Sequence, residues 1–141
     1  MPPMSPVQAQ RFLAYGTRTG KLATLRADGR PHVTPISFVL DGDDLVFTTA
    51  AESVKGRNLR HDGRVAIAVD EETPPYAYVM LDGTTRVSTE ADELLHWATQ
   101  IGARYMGDHR STEYGRRNGV AGELLVRCTP TKVVAHDRVA E

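Results

Sequence analysis

Thr48-Thr49-Ala50-Ala51-Glu52-Ser53-Val54-Lys55-Gly56-Arg57-Asn58-Leu59 reads as a strand end that runs straight into a short helix. Val46 and Phe47 give the strand its β-branched and aromatic character, and Ser53 stands where the cap of a helix beginning at Val54 belongs. Such a junction aims backbone N–H groups and the positive end of the helix at whatever lies above it, and Lys55 and Arg57 add full charge. Hydroxyls, cations and a helix N-terminus together suit a phosphate. The competing reading is that Arg57, Arg60 and Arg64 form one solvated helix face. No P-loop or dinucleotide glycine pattern occurs in the chain, so Gly-rich loops lend the phosphate reading no support.

Upstream of that junction, Asp41-Gly42-Asp43-Asp44 turns the chain into Leu45–Thr49, and Pro31 to Leu40 carries the β-favouring Val33, Thr34, Ile36, Phe38 and Val39. Pro35 inside that run cannot donate to a ladder, so it marks an edge, a bulge or a place where a ligand lies against the strand. Lys21–Leu25 and the Asp28-Gly29 turn complete a hairpin. Before it, Ser5-Pro6-Val7-Gln8 has the elements of a capping box, Ala9, Phe12 and Leu13 make one apolar face, and Gly16 is a stop.

Downstream, His61-Asp62-Gly63 turns into a strand at Arg64–Val69. Tyr76–Leu81 and Thr84–Ser88 read as one long strand or a bent pair around Asp82-Gly83. A helix follows Thr89-Glu90, with Leu94, Ala98, Ile101 and Tyr105 in a buried stripe that Trp97 widens and His96 leaves. Gly107 to Gly122 is polar and predicts a short helix or a mobile loop. Leu124–Thr129 and Lys132–His136 predict two last strands divided by Pro130. Short strands with hairpin turns and few helices predict a mainly β fold with flanking helices, an antiparallel barrel, in one domain over residues 1–141.

A chain of 141 residues suits a single core. Its 17 cations against 18 anions leave a net charge of −1, which argues against a general nucleic-acid binder. Fourteen of the 17 cations are Arg, the residue suited to bidentate anion contacts. The lone Cys128 excludes an intrachain disulfide and predicts a reducing, cytoplasmic home and a buried, inert thiol. The N-terminus lacks a signal-peptide pattern, and no run predicts a membrane span.

His32, His61, His96, His109 and His136 fall in no metal-ligand spacing, and no nucleophile elbow occurs, so neither a metal site nor a catalytic side chain is assigned. Asp43-Asp44 and Glu71-Glu72 sit in turns, where solvation explains them. An enzyme of this kind takes its chemistry from a cofactor.

From Gly20 to Val69 the chain resembles the pyridoxamine-phosphate-oxidase-like split-barrel flavoproteins, and most of all their branch that binds the deazaflavin coenzyme F-420. The resemblance rests on Leu22-Ala23-Thr24-Leu25, Asp28-Gly29-Arg30-Pro31-His32-Val33, Leu45-Val46-Phe47-Thr48-Thr49, Ser53-x-Lys55-x-x-Asn58-Leu59 and Asp62-x-Arg64-Val65, in that order and spacing. It implies an FMN-binding-type split β-barrel that forms a homodimer with cofactor sites between subunits. It also implies that Lys55 holds the phosphate of F-420, or alternatively FMN, with Ser53, Arg57 and Asn58 close by. Thr34, Pro35, Ile36 and Ser37 would run beside the ring, Thr48 and Thr49 near the phosphate, and Tyr76 would reach a partner's site. Some relatives carry a second cation two residues before the lysine, where Ser53 stands here. The implied activity is a reductase passing a hydride from the deazaflavin to an unsaturated organic acceptor, with Tyr76, Tyr78 or His109 as candidate proton donors. The alternatives are an FMN-dependent flavoprotein and a non-catalytic carrier of either cofactor.

Overall fold

The computed structural model describes residues 1–141. Its strands are β1 (Gly20–Leu25), β2 (Pro31–Ile36), β3 (Val39–Asp41), β4 (Asp44–Ala50), β5 (Arg64–Glu71), β6 (Ala77–Ser88) and β7 (Glu123–His136). Its helices are α1 (Pro6–Ala14), α2 (Val54–His61), α3 (Ala91–Met106) and α4 (Ser111–Asn118). All seven strands join one antiparallel sheet in the order β2-β1-β5-β6-β7-β4-β3. The two edge strands are consecutive in the chain, separated only by Ser37 and Phe38. The sheet must therefore curl until its two edges meet at that joint, which makes it a split barrel.

The expected single run from Pro31 to Leu40 is thus two strands. The break falls at Ser37-Phe38 because the chain there leaves one edge of the sheet for the other. Side chains take over the backbone bonds that the ladder no longer makes. Tyr105 Oη accepts from Phe38 N (3.2 Å) and donates to Arg18 O (2.7 Å). Arg104 Nη1 donates to Phe38 O (2.6 Å), while its other nitrogens reach Gly16 O and Leu13 O. Buried backbone polar groups need such partners, so α3 is what holds the joint in shape.

The opposite correction applies at the C-terminus. Pro130 does not divide two strands; β7 runs unbroken from Glu123 to His136. Pro130 is tolerated because β4 stops pairing at Cys128 and because the β6–β7 register shifts there, with Gly83 opposite Pro130. At Gly83 a Cβ would come within 2.5 Å of Cys128 Sγ, so the bend needs glycine. Asp82-Gly83 accordingly bends one long β6 rather than ending it.

The barrel interior is filled by Leu22, Phe38, Leu45, Phe47, Ile67, Val69, Val79 and Val126, closed at one end by Ala9 and Leu13 of α1. Cys128 belongs to this core, and burial pushes its thiol up to about 11, which makes it inert as expected. The capping box of α1 forms, with Gln8 N on Ser5 Oγ and Ser5 N on Gln8 Oε1 (2.7 Å). The polar segment after Gly107 folds into a single 3-10 turn at Asp108–Arg110 and then α4. No helix is long and apolar enough to cross a membrane.

Candidate functional site

The strand-to-helix junction forms as read, and the hydroxyls of Thr49 and Ser53 are engaged within it. Ser53 Oγ accepts from Gly56 N (3.0 Å) and donates to Ala50 O (2.8 Å). Its one proton being used there, Thr49 Oγ1 is the donor of the 3.0 Å bond between the two hydroxyls. These bonds fix where α2 starts. The first-turn amides of Val54 and Lys55 remain as donors without an intrahelical partner. Gly56 lets the turn lie against the end of β4: a Cβ there would collide with the carbonyl oxygens of Ala50 and Ala51.

Above that turn lies a cleft of about 410 Å³, within the range of small-molecule sites. Its near wall is Pro35, Ile36 and Ser37 from β2 and the following joint, Thr48 from β4 and Lys55 from α2. Pro35 sits on an edge strand, where a missing N–H costs nothing in the ladder. The far wall is apolar and aromatic, with Ile101, Tyr105 and Met106 of α3 facing Tyr114 of α4. Arg117 and Glu123 complete the rim.

Of the residues singled out in the sequence, Pro35, Ile36, Ser37, Thr48 and Lys55 are brought to this cleft. Thr34 pairs with Leu22 and is set back from it. Thr49 and Ser53 lie one layer behind, shaping the start of α2. Asn58 is buried, and its Nδ2 donates to Thr24 Oγ1 (3.0 Å), tying α2 to β1. Arg57 is exposed on the outer side of α2. Tyr76 lies in a separate hollow with Glu71, Thr73 and Asp137. Tyr78 packs against His136 with ring centroids 5.6 Å apart and the planes tilted by 56°, and His109 is exposed; neither lines the cleft.

The far wall was not foreseen as part of a site. Ile101 and Tyr105 read as core positions of an amphipathic helix, and the 107–122 segment as a short helix or a mobile loop. The clearest overlooked signal is the pair Gly102 and Gly115. A Cβ on Gly102 would stand 2.8 Å from Tyr114 Cβ, and one on Gly115 would strike Thr99, so α4 docks on α3 at glycine range.

Electrostatically the cleft holds two cations, Lys55 and Arg117, against one acid. Glu123 has an oxygen sealed from solvent with no hydrogen-bond partner. Burial raises its pKa, and the charge of Lys55 works in the opposite sense. The Tyr105 hydroxyl is also pushed up by burial, and both its bonds go to backbone, so it holds structure rather than offering a proton.

The cleft thus sets a lysine at a capped helix start beside an edge strand of a split barrel. The model of the family described as pyridoxamine 5'-phosphate oxidase matches residues 6–137. The chain belongs to that family. Among solved structures, a conserved hypothetical protein from Mycobacterium tuberculosis superposes with a TM-score of 0.84 at 26% identity, over 96% of this chain and 86% of the other. A protein described as an F-420 reductase superposes with a TM-score of 0.72 at 26% identity, over 87% of this chain and 94% of the other. A protein from Mesorhizobium loti described as FAD-binding shares the fold with a TM-score of 0.70 at 20% identity, over 95% of each chain. The family and the F-420 reductase at 26% identity support oxidoreductase chemistry with a flavin-type cofactor.

Proposed function

We propose that this chain is a reductase that uses the deazaflavin coenzyme F-420, with the coenzyme's phosphate at Lys55 and its flat ring system against Pro35, Ile36 and Ser37. The observation that carries this reading is that a cation at a helix start and a proline-interrupted edge strand border one cavity. The 26% identity to a protein described as an F-420 reductase supports the choice of coenzyme. When bound, the reduced coenzyme supplies a hydride for an unsaturated organic acceptor. The chain's own part is to bind, orient and exclude water. Lys55 and the first-turn amides of α2 hold the anionic end. Pro35 to Ser37 offer a surface that begins with a residue lacking a donating N–H, and the Tyr105–Tyr114 side keeps the opposite face dry.

In this reading the protein works as a homodimer. The outward face of the sheet supports pairing: Ala66, Ala68, Met80 and Val134 lie in adjacent registers, and Met80 is 46% exposed. Tyr76, remote from the cleft of its own chain, then serves the cleft of the second copy. Sedimentation at micromolar concentration with cofactor present tests this, and a monomer overturns it.

The test of the cofactor assignment is parallel titration of the purified protein with F-420 and FMN, followed by absorbance and fluorescence. Tighter binding of F-420 is expected. Tighter binding of FMN keeps the seat and replaces the coenzyme, while binding of neither overturns the seat itself.

A further inference from the structure

Glu123 is the first residue of β7, opposite Ala50 at the end of β4. That register places its carboxyl in the cleft beside the start of α2. One of its oxygens is shut away from water without a donor, an arrangement that costs free energy unless something compensates. The ionisable groups that line the cleft with it can be named element by element. Lys55 comes from α2, Tyr105 from α3, and Tyr114 and Arg117 from α4; the lining residues of β2, the joint after it and β4, namely Pro35, Ile36, Ser37 and Thr48, do not ionise. Lys55 is the one whose charge acts on Glu123, yet the two do not close into an ion pair. A second anion brought to Lys55 therefore enters the field of a carboxylate already there. Like charges sharing one site drive a proton onto one of them.

We propose that Glu123 is the resident anion of the cleft, facing Lys55 when the cleft is empty and taking up a proton when a phosphate-bearing ligand binds there. This deepens the phosphate-seat reading and rests on it. The sign follows directly. Above the pKa of Glu123 in the empty cleft the carboxylate repels the ligand, so binding weakens as pH rises from that pKa to the raised value in the complex and then levels off. Below the empty-cleft pKa the acid is neutral and the seat accepts the anion. Burial, which raises that pKa, brings the switch toward neutral pH.

The probe is FMN, titrated into the parent protein and into Glu123→Gln across pH 5.5 to 8.5, with F-420 as the second ligand. The free ligand's phosphate ionisation is common to both proteins and cancels in their ratio. Glu123→Gln is expected to bind about tenfold tighter at pH 8.5, the effect of one unit of proton affinity, and its advantage is expected to shrink as pH falls. Calorimetry of the parent protein in buffers of different ionisation enthalpy needs no variant, and it is expected to show net proton uptake on binding that Glu123→Gln lacks. Equal affinities at every pH with no Glu123-linked uptake overturn the proposal while leaving the seat standing. Weaker binding by Glu123→Gln also overturns it, since the carboxylate would then be accepting a hydrogen bond from the ligand. If neither protein binds FMN or F-420, seat and proposal fail together.

Discussion

The two walls of the cleft are built by different physics. The near wall, residues 31–61, comes from local rules: an edge strand carrying Pro35, a strand end, and a helix capped by Ser53 three residues before the Gly56 amide it accepts. The far wall, α3 and α4, comes from packing between helices and from bonds that span the chain, such as those from Arg104 to Leu13 O and Phe38 O. The near wall supplies charge for a ligand, and the far wall supplies shape. Damage to the first should therefore appear in affinity, and damage to the second in stability, except where a glycine sets the near wall's own geometry.

Gly56→Ala gives the largest effect and tests that exception. Alanine is the better helix former by about 1 kcal/mol, but here its methyl group meets two backbone carbonyls that have no room to move aside. A net loss of about 2–3 kcal/mol of stability is expected in chemical denaturation, with loss of cofactor binding as α2 shifts. A stable protein that still binds would show that the start of α2 does not depend on its fit over β4. Lys55→Ala comes next. It should weaken F-420 or FMN binding by about 1.5–3 kcal/mol, the range for a hydrogen bond to a charged group, and leave the melting temperature unchanged. Arg57→Ala, two residues on and exposed, should leave affinity nearly intact. If the arginine mattered and the lysine did not, the anion would lie on the outer side of α2.

That contrast also marks how far the sequence could be read. Ser53, Pro35 and Lys55 were legible because a cap, a missing donor and a charge carry their meaning within a few residues. The strand set was legible by the same means, since alternation and turn residues act locally. Asn58 shows where this stops. From the sequence it stands with the phosphate ligands, but its side chain points to Thr24, 34 positions away, a choice made by how α2 lies on β1. The division of Pro31–Leu40 at Ser37-Phe38 and the continuity of β7 through Pro130 are likewise decided by neighbours. So is the docking of α4, which turns two glycines and a polar stretch into the wall of a site.

Tyr105→Phe separates the two roles of the far wall. The ring that lines the cleft stays, but Phe38 N and Arg18 O lose their partner. Leaving such groups unsatisfied costs about 1–3 kcal/mol, less if water reaches them through the half-open cleft. Stability should fall by that amount while affinity for the cofactor changes little. A large loss of affinity with unchanged stability would mean that the hydroxyl contacts ligand.

The smallest effect concerns neighbours in α4. Arg117 lines the cleft and makes no ion pair within the chain, its guanidinium resting 5.6 Å from the ring centre of Tyr114. Arg116 is exposed and does not line the cleft. An exposed cation near an anionic ligand contributes little, because water and salt screen it, so Arg117→Ala should cost about 0.5–1 kcal/mol of binding at low salt. That cost should shrink further as ionic strength rises, whereas the Lys55 contribution, made beside the start of a helix, should persist. Arg116→Ala should change neither affinity nor its salt dependence. Isothermal titration of both variants at two salt concentrations decides the matter. A salt-resistant loss at Arg117 would show that the far wall grips the anion directly, and the division between a charging wall and a shaping wall would fall.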